Sequence, residues 1–294
     1  MDKRQRYIAR VHEVCPDLLV EAVTLDVEGQ NNDVLIVNYE VIFRFPKYDE
    51  GVKRLEIETA ILTGIQRYLT TVSVPNPIYV SLAKTVGQAF MGYRMIRGEL
   101  ATADDFVAFK QDDMHQSVAA QLASFLKELH SVPVTEAINI NLPLSDTRLE
   151  WTETYARIRD NLFSHMRLDA QESTAEHFET FLNDGRNFAY EPVMRHGDIG
   201  PGNIVVDKES WTVNGVLDFG SAGLGDPAVD VAWIQYRSGV GESFLKKFYE
   251  AYPEIATTLA RAQFYAGTFA LQEALFGIEN NDAEAFRRGI STYA

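Results

Sequence analysis

The sequence predicts an α+β protein of two lobes, a small N-terminal lobe with five strands and one main helix, and a larger, mostly helical C-terminal lobe. Strand and helix patterns alternate through the first hundred residues, and helical patterns dominate after Gly98. Short strand patterns return only around 193–219. We place the N-terminal lobe at residues 1–96 and the C-terminal lobe at 97–294, each long enough to bury a core.

The N-terminal lobe is predicted from patterns that switch between strand and helix. Residues 28–33 are rich in turn-forming types, and they precede a hairpin that turns at Asn38-Tyr39. Apolar residues recur at helical spacing between Gly51 and Leu69, which predicts one main helix after the third strand. In chain order, we predict a helix over 5–14, strands over 18–27, 34–37 and 41–45, a helix over 51–69, and strands over 78–82 and 88–96.

The C-terminal lobe is predicted from helical periodicity. Five apolar side chains recur on one helix face and mark a buried stripe: Val118, Leu122, Phe125, Leu126 and Leu129. Pro253 fits the first turn of a later helix, where its missing N–H costs nothing. We predict helices over 114–130, 150–166, 173–184, 228–237, 242–251, 254–278 and 282–292.

Composition restricts the class of protein. Hydrophobic residues make up 46% of the chain and charged residues 23%, as in folded globular proteins. Cys15 has no partner cysteine, which excludes an internal disulfide and favours a reducing compartment. No apolar run approaches the roughly 18 residues that a membrane span needs. We therefore expect a cytoplasmic protein.

The formal net charge of −15 restricts the partners. It argues against a nucleic acid, because binding to phosphates needs clustered Lys and Arg. It would attract a cationic small molecule, although solubility alone is the simpler explanation of the charge.

The strongest chemical signal is one dense stretch in the second half of the chain. His196-Gly197-Asp198 opens it, and Asn203 follows five residues after Asp198. Asp218-Phe219-Gly220 comes fifteen residues after Asn203, and both motifs adjoin short runs of β-forming residues. Together they match H-x-D-x-x-x-x-N and D-F-G, two loops of protein-kinase-like enzymes.

Phosphoryl transfer explains why these residue types occur at this spacing. A carboxylate must lie beside the attacking hydroxyl, and Asp198 fits this catalytic role. Oxygen ligands must hold Mg²⁺ on the phosphates of ATP or GTP, and Asn203 and Asp218 can supply them. We expect His196 to shape the loop by packing and hydrogen bonding rather than to react.

Further segments extend this pattern along the chain: 42–47, Glu58, 92–98, Gly225-Asp226-Pro227, Asp230, Trp233 and Leu275-Phe276-Gly277. With the two loops, they resemble the aminoglycoside phosphotransferases, bacterial antibiotic kinases with a protein-kinase-like fold. The third strand and the hinge are most similar to those of aminoglycoside 2″-phosphotransferases, and macrolide phosphotransferases come next. The resemblance covers nearly the whole chain and implies a protein-kinase-like two-lobed fold.

The resemblance also implies a nucleotide site in the N-terminal lobe. Arg44 stands where most kinases have the lysine that contacts the phosphates, and arginine keeps the charge while binding phosphate in a different geometry. Glu58 is the expected ion-pair partner, with a plain surface pair as the alternative. Lys47 is an alternative phosphate ligand, but it lies past the end of the strand. The nucleotide loop contains only Gly29, so Asn31-Asn32 must supply its turn.

The hinge positions follow from the same resemblance. Arg94 C=O and Ile96 N–H match the backbone groups that bond the purine. Tyr93 matches the gatekeeper, whose bulk favours GTP in the 2″ group. A packed aromatic without a role in nucleotide choice is the alternative for Tyr93.

The acceptor site is predicted from charge. Aminoglycosides are polycations, so carboxylates should line the cleft between Asp198 and the C-terminal helices. Glu273 and Glu279 are the candidates, with Asp282 a further one, and Asp230 is expected to brace the catalytic loop. Glu273 lies in an apolar helical run, where a carboxylate needs a reason, although an exposed helix face would also explain it.

The sequence therefore predicts a cytoplasmic, monomeric, Mg²⁺-dependent kinase that phosphorylates a hydroxyl of an aminoglycoside antibiotic. A macrolide 2′-phosphotransferase and a small-metabolite kinase of the choline or homoserine type use the same loops and stay open. A nucleotide-binding pseudokinase is a third alternative. It would be expected to lack Asp198, Asn203 or Asp218, and all three are present.

Overall fold

The computed structural model describes residues 2–29, 31–108, 116–139, 142 and 144–294. The N-terminal part of these residues forms a five-stranded antiparallel sheet with strand order β1-β2-β3-β5-β4. The predicted α+β class is confirmed, including the five strands and the main helix after the third. The elements are α1 (Lys3–Val14), β1 (Val23–Asp26), β2 (Asn32–Val37), β3 (Val41–Pro46), α2 (Asp49–Ile65), β4 (Tyr79–Ser81) and β5 (Phe90–Arg94).

The hairpin between β2 and β3 sets the two faces of the sheet. Asn38 has a φ of 54° and Tyr39 a φ of 57°, left-handed values that suit a tight turn. Because side chains alternate along a strand, Phe43 and Phe45 of β3 join a cluster with α1. Arg44 therefore faces the opposite side, toward α2.

The larger part is mostly helical with short strands, as predicted. Strands β6 and β8–β9 form one small sheet, and β7 pairs with β10. Its elements are β6 (Glu99–Leu100), α3 (Ala103–Ala108), α4 (Gln116–His130), α5 (Val134–Asn139), α6 (Arg148–Leu162), α7 (Leu168–Asn183), β7 (Val193–Arg195), β8 (Ile204–Asp207), β9 (Thr212–Val216), β10 (Gly223–Gly225), α8 (Ala228–Tyr236), α9 (Glu242–Ala251), α10 (Leu259–Glu279) and α11 (Ala283–Ile290).

Differences from the predicted elements are small and local. The sequence did not predict α3, α5, β6 and β10, each only two to six residues long. Pro253–Thr258 forms a 3₁₀ helix ahead of α10 rather than its first turn. The predicted start of α4 at position 114 and the loop residue at position 30 lie outside the described residues.

One apolar cluster joins the two parts of the molecule. Leu55 and Leu62 of α2 pack in the same cluster as Val216 and the fully buried Phe219. This packing holds α2 above the loop that carries Asp218. Our proposed lobe boundary, between residues 96 and 97, falls in the connection from β5 to β6.

Across the described residues, no helix is long and apolar enough to cross a membrane.

Candidate active site

The loop after β7 is held from below by a buried carboxylate. Asp230 of α8 is fully buried and accepts the N–H of His196 at 2.8 Å and the N–H of Gly197 at 2.7 Å. The Asp230 carboxylate also contacts the side chain of His130, whose Nε2 lies 3.0 Å away. Gly197 has a φ of +82°, and a Cβ there would lie 2.0 Å from the Arg195 guanidinium. Only glycine therefore fits this position.

His196 ties the two predicted motif loops together. Its Nε2 lies 2.9 Å from the carbonyl oxygen of Leu217, and its Nδ1 accepts the N–H of Asp198 at 3.3 Å. The ring also meets Phe219 edge-on, with centroids 4.7 Å apart. These contacts show that His196 holds the two loops together, because both of its ring nitrogens are bonded to backbone groups.

Asp198 and Asn203 come together at the end of this loop. The Asn203 amide nitrogen donates to the Asp198 carbonyl at 2.8 Å and to its carboxylate at 3.2 Å. Protein atoms around Asp198 displace part of its water and raise the pKa of its carboxyl. His196 opposes that rise, and the neighbouring Asp218 carboxylate adds to it.

Arg44 bridges the two parts of the molecule. Its Nη1 donates to Glu58 at 2.5 Å, and its Nη2 donates to Asp218 at 3.1 Å. Arg44 and Glu58 are both buried, whereas the Asp218 side chain is 39% exposed. A buried arginine needs such partners to offset its lost hydration. The three residues predicted from distant parts of the sequence thus form one charged cluster.

The oxygen atoms near Asp218 fit a magnesium site. Asp218 has a φ of 59°, and its Oδ1 takes the contacts from Arg44 and from the Gly220 N–H. Asn203 engages its neighbours through nitrogen, which leaves its amide oxygen available. The described residues contain no group of three or more His, Cys, Asp or Glu that could hold a metal ion. A site with two protein ligands suits Mg²⁺, which takes its other oxygens from phosphates and water.

The hinge residues lie at a separate cavity. Met95 N–H donates to the Glu40 carbonyl at 2.7 Å, which fixes the start of the connection after β5. Arg94 and Ile96 line a cavity of about 490 Å³ together with Asn214. This cavity shares no lining residue with the cleft described below. The structure therefore does not join the hinge residues and the charged cluster in one cavity.

Tyr93 lies between the hinge and the charged cluster. Its side chain is 4% exposed, and burial raises the pKa of Tyr93 to about 12, against the opposing influence of Arg44. The phenol is therefore protonated at neutral pH.

Gly29 and Lys47 meet in the nucleotide loop. The Lys47 ammonium donates to the carbonyl oxygens of Val27 and Gly29, each at 2.5 Å. It thus contacts the loop backbone, whereas Arg44 contacts Asp218. Asn31 and Asn32 line the cleft.

The cleft itself has a volume of about 570 Å³ and opens between the sheet and α2 on one side and α6 and α10 on the other. Asp198, Asp218 and Arg44 line its inner end. Glu279 lies at its rim and accepts two hydrogen bonds from Arg157, at 2.9 and 2.5 Å. The cleft therefore combines the charged cluster with one ion pair on the helical side.

The other predicted acceptor carboxylates lie elsewhere. Glu273 accepts a hydrogen bond from Arg288 of α11 at 2.8 Å and lines neither cavity beside Asp198. Asp282 caps α11 by accepting the N–H groups of Glu284 and Ala285. Of the candidates at the helical end, the structure brings only Glu279 to the cleft.

A second cavity of about 490 Å³ adjoins Asp198 on the helical side. Trp151, Trp233 and Phe269 form an aromatic wall, and Gln272 is shared with the cleft. The sequence analysis named Trp233 as part of the resemblance but missed Trp151, Phe269 and Gln272. These three come from α6 and α10, and no motif links them, so helical periodicity was the only signal available.

The sequence was compared with protein families and with known proteins. The APH profile of the phosphotransferase enzyme family matches residues 22–265. Viomycin phosphotransferase of Streptomyces vinaceus is 27% identical over 271 residues, which are 90% of this chain and 91% of that protein.

Solved structures share the fold. The GDP and kanamycin complex of an APH(2″) enzyme has a TM-score of 0.86 at 24% identity, covering 97% of this chain and 96% of the other. Macrolide 2′-phosphotransferase type I has a TM-score of 0.75 at 19% identity, covering 100% and 97%. The kinase-like fold is confirmed. Since the family profile spans most of the sequence, the chain belongs to the phosphotransferase enzyme family.

Proposed function

We propose that the protein transfers the γ-phosphoryl group of ATP or GTP to a hydroxyl of an aminoglycoside antibiotic, in a Mg²⁺-dependent reaction in the cytoplasm. The observation that carries the proposal is the cluster in which Arg44 bridges Glu58 and Asp218 beside the Asp198–Asn203 pair. These groups form a phosphate-binding cation, two metal ligands and a carboxylate at one end of an open cleft.

Each residue has a distinct part in the proposed reaction. Asp198 orients the acceptor hydroxyl and takes its proton as the oxygen bonds to the γ-phosphorus and the bond to the β-phosphate oxygen breaks. Arg44 donates to the phosphates of the donor. Asn203 and Asp218 would hold Mg²⁺, which neutralises charge on the phosphate oxygens.

The acceptor is proposed from charge and from the relatives. The net charge of −15 and the carboxylates of Asp198 and Asp218 that line the cleft favour a cation. An APH(2″) enzyme with the same fold has been solved with kanamycin. These points support an aminoglycoside as the first acceptor to test.

The aromatic wall favours a second candidate. Trp151, Trp233 and Phe269 line the cavity beside Asp198, and such apolar lining suits an acceptor with an apolar face. A macrolide has such a face, and a macrolide phosphotransferase shares the fold. The second candidate is thus a macrolide 2′-phosphotransferase.

A transfer assay tests both candidates. Purified protein is incubated with γ-³²P-labelled ATP or GTP and, separately, kanamycin, viomycin, erythromycin, choline or homoserine, and labelled product is separated. We expect label on kanamycin, and none with Asp218→Ala, which lacks a charged metal ligand. Label on erythromycin alone would move the assignment to the macrolide class. Nucleotide binding without transfer to any acceptor would favour the pseudokinase.

A further inference from the structure

We propose that Lys47 is a positioning residue that clamps the backbone of the nucleotide loop, in place of the glycines that this loop lacks. The inference rests on the proposed nucleotide donor. It assigns Lys47 to the shape of the phosphate-facing loop and not to direct contact with phosphate.

Lys47 holds the loop at three carbonyl groups. Its Nζ donates to the carbonyl oxygens of Val27 and Gly29 at 2.5 Å, and its own backbone N–H donates to the carbonyl of Asn31 at 3.0 Å. Three alternate residues of one short segment are thus bonded to a single residue at the end of β3. Arg44, three positions earlier, has no part in these contacts.

The ammonium group is turned toward the loop and not toward the cleft. Two of its three N–H donors go to the loop carbonyls, and Asp33 Oδ1 lies 3.5 Å from Nζ as a charged neighbour. The Lys47 side chain is only 19% exposed. A role as the phosphate ligand would require the ammonium group to leave both carbonyls.

Asp33 anchors the clamp to the N-terminal helix. Its carboxylate is 1% exposed and accepts the Tyr7 hydroxyl at 2.6 Å and the Lys3 ammonium at 2.9 Å. Burial alone would raise the pKa of Asp33, but the hydrogen bond from Tyr7 and the two ammonium groups lower it. The carboxylate stays charged, so α1 supports Lys47 through a buried ion pair.

Fixing the carbonyls also fixes the amides. In a trans peptide the C=O and the following N–H point in opposite directions, so the bond from the Lys47 N–H to the Asn31 carbonyl turns the Asn32 N–H away from β3. Asn31 and Asn32 both line the cleft, and the Lys47 ammonium steadies the residues that lead into them. Backbone N–H groups are what a nucleotide loop offers to phosphate oxygens. Kinase loops with three glycines adopt such a shape through backbone freedom, whereas this loop has only Gly29.

The test separates phosphate binding from purine binding. Calorimetry measures how tightly Lys47→Met and the wild type bind two kinds of ligand. The first is a non-hydrolysable triphosphate and the second is the bare nucleoside, each tested in its guanosine and its adenosine form. We expect the triphosphate affinity to fall on the order of tenfold, about 1.4 kcal/mol, with nucleoside affinity unchanged. In turnover, KM for the nucleotide should rise while kcat at saturation stays near wild type. Lys47→Arg should restore most of the affinity.

Matched variants keep the outcome interpretable. Lys84→Met removes an exposed lysine of the same lobe whose partner is Glu56 and should change neither affinity. Asp33→Asn should reproduce the Lys47→Met pattern if the clamp depends on its anchor. Equal loss of nucleoside and triphosphate affinity, with a lowered melting temperature, would reduce Lys47 to a structural role and overturn the proposal, as would unchanged affinities. A wild-type protein that binds neither triphosphate would instead refute the proposed function.

Discussion

The end of the cleft that we propose for the nucleotide donor and the end that we propose for the acceptor are built in different ways. At the donor end, charged groups contact one another, as in the bridge from Glu58 through Arg44 to Asp218. At the acceptor end, the described residues offer an aromatic wall and two ion pairs, Arg157–Glu279 at the rim and the buried Arg195–Asp146 beside Asp198. The donor end is therefore fixed by one connected set of charges before any ligand arrives, whereas the acceptor end is assembled from side chains of separate helices, which side-chain exchange can retune.

In the proposed reaction, this difference follows from what each end would bind. A nucleotide triphosphate with its metal ion would present the same charges in every turnover, so preorganised partners would lower the cost of binding them. Acceptors vary in shape and charge, and the helices that face them contribute side chains independently. Substitutions should consequently have large effects at the donor end and small, substrate-dependent effects at the acceptor end.

The largest effect is expected where the two ends meet. Asp198→Asn keeps the size of the side chain but removes the carboxylate that receives the proton. We expect kcat to fall by about 10² to 10⁴-fold, with little change in nucleotide affinity, measured by steady-state turnover and calorimetry. Normal turnover by this variant would show that Asp198 is not the base.

Arg44 tests whether the donor end depends on its bridge. For Arg44→Ala we expect kcat/KM for the nucleotide to fall. The loss should correspond to roughly 1.5–3 kcal/mol of transition-state stabilisation, the contribution of a charge-assisted hydrogen bond. The variant leaves Glu58 as a buried carboxylate, so its melting temperature is measured in parallel, and Arg44→Lys serves as the milder exchange. A small loss of kcat/KM in Arg44→Ala together with a large loss in Lys47→Ala would show that Lys47, and not Arg44, contacts the phosphates.

The same contrast governs how much the sequence could predict. Asp198, Asn203 and Asp218 lie at the spacing of the H-x-D-x-x-x-x-N and D-F-G motifs, and that spacing is visible in the chain. Arg44 could be assigned to the α2 side because strand alternation separates it from Phe43 and Phe45.

The acceptor end carries no such constraint. Trp151 and Phe269 are ordinary core-type residues in sequence, and only the packing of α6 against α10 brings them to Asp198. Glu273 and Glu279 look alike on one helix, six residues apart. The rotation of that helix sends Glu273 to Arg288 and Glu279 to the cleft.

Tyr93 should have an intermediate effect, on the choice of nucleotide. Adenine and guanine present different edges to the hinge, so each needs its own depth of insertion, and a buried aromatic beside the hinge restricts that depth. We expect the wild type to use GTP at least as well as ATP. Tyr93→Ala should shift the ratio of kcat/KM values toward ATP by about one decade, or 1.4 kcal/mol. A wild type that strongly prefers ATP, or an unchanged ratio, would make Tyr93 only a packed aromatic.

The smallest effect is expected at the rim, where Glu279 and Glu273 form a matched pair of substitutions. Glu279→Gln removes a negative charge from the cleft and leaves Arg157 without its partner, so a cationic acceptor should bind less well. An exposed pair contributes about 0.2–1 kcal/mol, which predicts a rise in KM for kanamycin of roughly 1.4-fold to fivefold, with kcat and nucleotide KM unchanged. Glu273→Gln removes the same charge from the same helix but on the side of α11, and it should leave KM for the acceptor as in the wild type. Salt sharpens the distinction, because screening at high ionic strength should erase the difference between the two variants. Equal KM values for the two variants at low salt would show that Glu279 does not contact the acceptor, and a fall in KM for Glu279→Gln would point to an uncharged one.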